Sequence, residues 1–370
     1  MRQPKVAIVC DWLTNMGGAE RVVLAMHQAY PEAPIFTSVF EPSTMPAFKG
    51  LDIRTSFLQK LPAFIRRKHQ LYAPLRALAF RKLDLQGYDI IISSSSAEAK
   101  AVKKRADALH ICYCHTPTRY YWSHYREYLR NPGFGVLDPL VKLIAPPFIW
   151  WMRKLDKASV KGVDYFIANS TEVQKRIKKF YNRSSVVLNP GVQTSRLTPK
   201  KFIKKGNYYL VVGRQIPYKR IDLAITACNK LKKELVVIGN GSEHDKLAHL
   251  AGPTVKMLSG IDDKQIVDYF QRAKAFIFPA EEDFGIVPVE AMAAGTPVIA
   301  FARGGAQDYM TPKTGITFSR QSTSAITDAI RKFEVNKFKR PELIEHANQF
   351  SEAKFISELR ALVKHFQKET

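Results

Sequence analysis

The sequence predicts an α/β protein made of two doubly wound, parallel-sheet domains, and three observations carry that prediction. Short β-branched runs alternate with longer amphipathic stretches. Several of these runs are apolar almost throughout, as strands covered on both faces must be. The alternation also starts again after Asn189-Pro190-Gly191, where a strand ends in a turn signal and a basic stretch, Thr198 to Asn207, leads to the next strong strand.

Taken in order, the first half offers strands at Val6–Cys10, Ile35–Val39, Ile90–Ser93, Leu109–Cys114 and Tyr165–Ala168. The second set is Val186–Leu188, Tyr208–Val212, Leu235–Ile238, Val255–Leu258, Ala275–Phe278 and Pro297–Phe301. Helical periodicity marks Arg21–Tyr30, Ile221–Lys230, Asp263–Arg272 and, after a Lys/Arg-rich segment, Ser351–Gln367. The expected division is residues 1–190, residues 191–350 and a closing helix within 351–370.

At 370 residues the chain has room for two or three cores, and 46% hydrophobic content excludes a disordered one. Four cysteines exclude a small disulfide scaffold. Cys112 and Cys114 have no second pair or His cluster to complete a zinc site, so reduced, cytosolic thiols are expected. The start, MRQPKVAIVCDWL, is too short an apolar run for a signal peptide. The most apolar long stretch, Pro132–Met152, contains Asp138, Lys142 and prolines, so a spanning helix is not expected.

A net charge of +24 demands an anionic partner or surface. Residues 1–185 carry net +15 and the remainder net +9, so the first half is favoured. Nucleic acid, anionic lipid and phosphorylated small molecules all suit such charge. No nucleic-acid module is visible, and the basic residues show no aromatic stacking platform, so no nucleic-acid partner is expected.

The most specific segment is Glu281-Glu282-Asp283-Phe284-Gly285-Ile286-Val287-Pro288-Val289-Glu290, between a strand and a helix stopped by Gly295. Pro288 fits the first helical turn, leaving the amides of Phe284, Gly285, Ile286 and Val287 as an anion site. Glu290 is expected in that turn, either accepting from two adjacent hydroxyls, as on a ribose, or answering the helix dipole. Glu282 lies in an acidic cluster at a strand's carboxyl end, where open α/β sheets bind ligands. The cluster lacks the spacing of a metal site, and none is expected.

Arg214 and Lys219 follow a strand and Gly213, just ahead of a helix near Arg220. Cations there oppose the helix dipole, and a bound anion reverses that sign. Gly17-Gly18 allows positive φ and close backbone approach to a ligand, or simply makes a tight turn; without GxGxxG it does not specify a dinucleotide. His115, at a strand end in Cys114-His115-Thr116-Pro117, reads from the residues alone as a satisfied structural histidine ahead of a functional one.

These residues carry a resemblance. Glu282 and Glu290, eight apart, resemble the E-x7-E motif of the retaining glycosyltransferases of family 4, which have the GT-B fold of two Rossmann-like domains facing a central cleft. Gly213-Arg214 with Lys219 resembles that family's diphosphate-binding pair, and Gly17-Gly18-Ala19-Glu20 its glycine loop. With Tyr113-Cys114-His115-Thr116-Pro117, the pattern is most similar to a subgroup containing O-antigen mannosyltransferases of the WbaZ type.

The resemblance implies a nucleotide-sugar donor, GDP-mannose in that subgroup, held mainly by the second domain. It implies that Glu290 binds the ribose and Glu282 the sugar, that Arg214 and Lys219 neutralise the diphosphate, and that His115 lies near the anomeric centre. No metal or other cofactor is implied, and the last helix is expected to return to the first domain. Enzymes of this shape that epimerise or hydrolyse nucleotide sugars are the neighbouring alternative; Glu282, Glu290, Arg214 and Lys219 together favour transfer. UDP-sugar donors remain open.

The acceptor falls to the first domain. Residues 54–82 interleave eight Lys/Arg, among them Arg66, Arg67, Lys68 and Arg76, with Phe57, Leu58, Phe64 and other apolar residues. Pro62 and Pro74 cut this into short amphipathic helices. A second patch, 146–154, adds Trp150 and Trp151. Both suit an anionic membrane surface, and taken with the resemblance they imply a peripheral protein on the inner face of the cell membrane acting on a lipid-linked or membrane-proximal saccharide. Ordinary helices with basic solvent faces are the alternative.

Overall fold

The structure is a computed structural model that describes residues 4–66, 72–123, 125, 138–201 and 203–369. The chain divides into two units, Met1–Asn189 with Phe355–Thr370, and Pro190–Lys354. The first contains seven parallel strands: β1 (Val6–Cys10), β2 (Ile35–Thr37), β3 (Ile53–Thr55), β4 (Ile90–Ser95), β5 (Leu109–Cys114), β6 (Tyr165–Ala168) and β7 (Val186–Val187). Their spatial order is β3-β2-β1-β4-β5-β6-β7. The second contains six, β8 (Tyr209–Val212), β9 (Leu235–Ile238), β10 (Val255–Leu258), β11 (Ala275–Phe278), β12 (Val298–Phe301) and β13 (Gly315–Phe318), ordered β10-β9-β8-β11-β12-β13. Each order reverses once, between β1 and β4 and between β8 and β11. The carboxyl ends of strands flanking such a reversal form a ligand crevice.

Both sheets are buried on both faces, which explains the apolar runs. Leu210, Phe276, Val298 and Ala300 pack on one side of the second sheet, and Tyr209, Val211, Ala275 and Ile277 on the other. Two strands were not legible in sequence. β3 is short, with exposed Arg54 between two half-buried residues. β13 opens on Gly315, where a Cβ would collide with the Val298 carbonyl, so a glycine hides the strand signal. β2 also ends at Thr37 instead of Val39. Ser38 turns its hydroxyl to the Asp11 carbonyl, and Val39 leaves the ladder to pack with Leu58 and Ala79.

The last helix, Glu352–Glu369, buries Phe355, Leu359, Val363 and Phe366 against the first sheet, among Ile8, Tyr113 and Ile167. That 3.6-residue spacing makes one apolar stripe. Arg360 donates to the Ala29 and Gln28 carbonyls at 2.9 and 3.2 Å, closing the end of the helix Gly18–Ala29. Phe366 stacks on Tyr165 at 4.1 Å.

Beneath the first sheet's loops lies a buried polar network. Asp156 pairs with Lys100 at 2.7 Å and accepts from Trp122 Nε1, Tyr181 and Thr118. Beside it, Arg76 pairs with Glu98 at 2.8 Å, and Tyr121 donates to the same carboxylate.

His110 is fully buried on β5, hydrogen-bonded to Ser93 Oγ and the Gly162 carbonyl, and burial pushes its pKa down to about 4. A histidine depressed in the folded state takes up its proton in the unfolded chain first, so stability rises with pH across the window from about 4 to about 6.5. Melting temperature is therefore expected to fall between pH 7 and pH 4.5, with a shallower fall in His110→Gln. An unchanged slope in that variant would assign the acid sensitivity elsewhere.

Candidate functional site

The second unit gathers most of the predicted residues at the β8/β11 reversal. β8 runs into Gly213, whose N–H donates to the Ile238 carbonyl at 3.0 Å. Gly239 lies so close that a Cβ there would collide with the Gly213 carbonyl. The following loop is pinned by Gln215, fully buried, which donates to the Gly239 carbonyl at 2.8 Å and meets His244 Nδ1 at 2.6 Å. Arg214 is thereby left exposed on an anchored loop. Lys219 ends a single 3-10 turn, Pro217–Lys219, and pairs with Glu282, the residue on the loop after β11. Its ammonium also lies 5.8 Å from the Phe278 ring centre.

The Glu282 loop is held from below by Arg303-Gly304-Gly305, which follows β12. The Gly305 amide donates to the Glu282 carbonyl at 2.8 Å, and a Cβ on Gly304 would strike that same carbonyl. Sequence reading passed over these glycines and Gln215, although paired glycines at a strand end are the signal that singled out Gly17-Gly18. Asp283 and Phe284 are buried, Phe284 lying edge-on to Tyr309 at 5.5 Å, so Phe284 offers the site only its backbone.

Gly285 caps the helix Ile286–Ala293 with φ +86°, and a side chain there would press on Phe278 and Tyr309. Because the helix starts at Ile286, Glu290 stands in its second turn, a correction to the expected first. Dipole compensation fades after the first turn, which weakens that explanation for a carboxylate that is 7% exposed. Glu290 instead has the Arg196 guanidinium 3.8 Å away.

The first unit carries a separate set at its own reversal. Gly17 is the N-cap of Gly18–Ala29 with an extended φ of −148°, and neither paired glycine has the anticipated positive φ. A Cβ on Gly17 would meet only the movable tip of Glu20, at 3.0 Å from Oε2. His115, just past β5, is half-buried and shares a 2.8 Å hydrogen bond with Ser94 Oγ. Asp11 accepts from the amides of Ser96, Ala97 and Ala99 at 2.6–3.0 Å, joining the ends of β1 and β4. A small cavity there is lined by Asp11, Trp12, Glu20, Ser94 and Ser96.

The anticipated membrane patches are partly corrected. Arg76 is buried against Glu98, and Arg66 is held by Glu41 at 3.5 Å and by the Gln59 carbonyl, so neither is a free surface cation. Leu58 belongs to the core. Arg67 and Lys68 lie outside the described residues. Phe64, Leu75, Leu78, Phe148, Trp150 and Trp151 are exposed, with Lys154 3.7 Å above the Trp150 ring. Among the described residues no helix is long and apolar enough to cross a membrane, and no cluster of three His, Cys, Asp or Glu gathers as a metal site.

Two family models match adjoining stretches: Glycosyltransferase Family 4 over residues 16–196 and Glycosyl transferases group 1 over residues 194–353. The chain is 30% identical over 179 residues to a GDP-mannose-dependent alpha-(1-6)-phosphatidylinositol monomannoside mannosyltransferase of Mycobacterium tuberculosis, covering 40% of this chain and 46% of that protein. It is 32% identical over 190 residues to the O-antigen chain mannosyltransferase RfbU of Salmonella typhimurium, covering 46% and 52%. The chain thus spans about half the length of these curated relatives. Among solved structures it is similar to the sucrose-phosphate synthase of Thermosynechococcus elongatus, with TM-score 0.74, 17% identity and full coverage of both chains. It is also similar to Anabaena HepE in complex with UDP and glucose, with TM-score 0.71, 17% identity and 98% and 100% coverage. Two glycosyltransferase models that together run from residue 16 to residue 353, on two parallel-sheet units of the GT-B kind, make this chain a glycosyltransferase.

Proposed function

We propose that the protein is a retaining hexosyltransferase that moves mannose from GDP-mannose to a lipid-linked or membrane-proximal saccharide during synthesis of cell-surface polysaccharide. The observation that carries the donor half is the Lys219–Glu282 pair on two glycine-braced loops at the β8/β11 reversal. An arriving diphosphate competes with Glu282 for the Lys219 ammonium, which leaves the carboxylate to accept from the sugar hydroxyls. Arg214 and the amides of the 284–287 turn add positive charge where the leaving group develops negative charge. Glu290 accepts from the ribose. In this reading no metal takes part. The named activities of the two mannosyltransferase relatives support mannose and, for one of them, guanine.

Turnover across GDP-mannose, UDP-glucose and their relatives tests the donor. Transfer from UDP-sugars with none from GDP-mannose would overturn the donor assignment. Glu290→Ala is expected to weaken GDP binding by about 1.5–3 kcal/mol, since two ribose hydroxyls lose a charged acceptor. Equal GDP affinity by calorimetry would remove the ribose role.

The acceptor half places the protein on the inner face of the cell membrane. Ala73 of the helix Ala73–Arg81 and Met152 of the helix Asp138–Val160 belong to one small core with Tyr121, and these two helices carry the exposed Leu75, Leu78, Phe148, Trp150 and Trp151. Binding to phosphatidylglycerol vesicles is expected to fall as salt rises, with a salt-resistant remainder from inserted aromatics. Arg67→Ser with Lys68→Ser should reduce the salt-sensitive part, and Trp150→Ser with Trp151→Ser the remainder, both without changing GDP affinity. Wild-type vesicle binding in both variants would make these faces ordinary solvated helices.

A further inference from the structure

Glu290 does not stand alone on its helix. Arg196, from the short turn Thr194–Leu197, reaches it from a neighbouring element, with Nη2 3.8 Å from Glu290 Oε1. Its Nη1 donates to Asp263 Oδ2 at 2.9 Å, at the start of the helix Asp263–Arg272. Its Nε is buried and has no hydrogen-bond partner among the described residues. Leaving a guanidinium N–H buried and unanswered is costly, so something must hold this side chain where it is.

The turn that presents Arg196 is fixed on three sides. Leu197 is fully buried in the core shared with Val289 and Ala293 of the Glu290 helix. The Leu197 carbonyl accepts from the buried side chain of Gln271 at 2.8 Å. Upstream, the Val192 amide donates to the Phe350 carbonyl at 2.8 Å. The guanidinium is therefore stretched between an exposed carboxylate that orients it and a buried one that it faces.

We propose that Arg196 is a positioning residue for Glu290. At 3.8 Å the contact is electrostatic and lies outside hydrogen-bond range, so it draws the carboxylate toward Arg196 and sets its direction without itself being a hydrogen bond. A carboxylate held in that way is prepared to accept from two adjacent hydroxyls of a sugar ring. The inference rests on the ribose role proposed for Glu290, and it adds a residue that acts on the ligand only through that carboxylate.

The test compares GDP with 2′,3′-dideoxy-GDP by calorimetry, using the full chain. Wild type is expected to prefer the ribonucleotide, and Arg196→Gln to lose roughly five- to tenfold of GDP affinity while binding the dideoxy nucleotide as wild type does. Arg196→Lys should restore part of the preference. Because the dideoxy nucleotide serves as an internal reference, a loss of folded protein would lower both affinities together and not their ratio. If wild type shows no preference for the ribonucleotide, or binds neither, the ribose role of Glu290 fails and the inference with it. If wild type prefers GDP and Arg196→Gln retains the same ratio, the ribose role stands and the positioning role of Arg196 is overturned.

Discussion

Lys219→Ala is expected to lower turnover by on the order of a hundred- to a thousandfold, the range seen when one preorganised donor to a developing oxyanion is removed. The loss should exceed the loss of GDP affinity, for two reasons. The diphosphate gains charge as the sugar leaves, so the ammonium is worth more in the transition state than in the bound donor. Removing Lys219 also frees Glu282, whose carboxylate is otherwise paired with it, to repel the incoming phosphates. Steady-state kinetics with GDP-mannose and calorimetry with GDP separate these effects. Turnover within about threefold of wild type would take Lys219 out of the chemistry.

Asp156→Ala should be the most destabilising single change in the first unit, costing about 3–5 kcal/mol. Its carboxylate, 6% exposed, holds the Lys100 ammonium at 2.7 Å and accepts from Trp122, Tyr181 and Thr118. Alanine would leave a buried cation and three donors to find other partners. Burial works against the Lys100 charge, but the neighbouring Asp156 more than offsets it, so the lysine's pKa stands above its ordinary value. A raised lysine contributes fully below its unfolded pKa and loses that contribution only in strong alkali, so the wild-type pair's contribution is expected to be level from pH 5 to about pH 9. Urea midpoints measure it, and adding Lys100→Met should recover part of the loss. A shift of under about 1 kcal/mol would mean that water or the remaining groups already satisfy the lysine.

Most of the fold was legible because buried parallel strands advertise themselves: Val6–Cys10, Leu109–Cys114 and Ala275–Phe278 have the observed ends. What was missed has a physical signature of its own. β3 and β13 owe their place to neighbours already in the sheet rather than to their own composition. In the site, Lys219 came to notice as a cation opposing a helix dipole, Glu282 as a carboxylate at a strand's carboxyl end, and Gly285 as one of the amides ahead of Pro288. Arg196 and Gln215 escaped because their partners are distant in sequence, at Glu290 and Asp263, and at Gly239 and His244. The surface reading of Arg76 failed for the same reason, as nothing near it in the chain announces Glu98. Composition counts charges, but only the fold decides which of them are already answered.

The final helix, which lends Phe355, Leu359, Val363 and Phe366 to the core of the first unit, also sets the order in which the protein can be finished. On the ribosome a leading domain ordinarily folds before the next is made. Here the leading sheet emerges with one face short of its cover, while residues 190–354 supply their unit from one continuous stretch. At synthesis rates of about 5–20 residues per second, the first unit waits on the order of ten seconds for its last apolar stripe. The second unit to be synthesised is thus the first that can close. The nascent first unit is the stretch that must be kept from aggregating, and chaperone capture during translation should concentrate on chains released before residue 355.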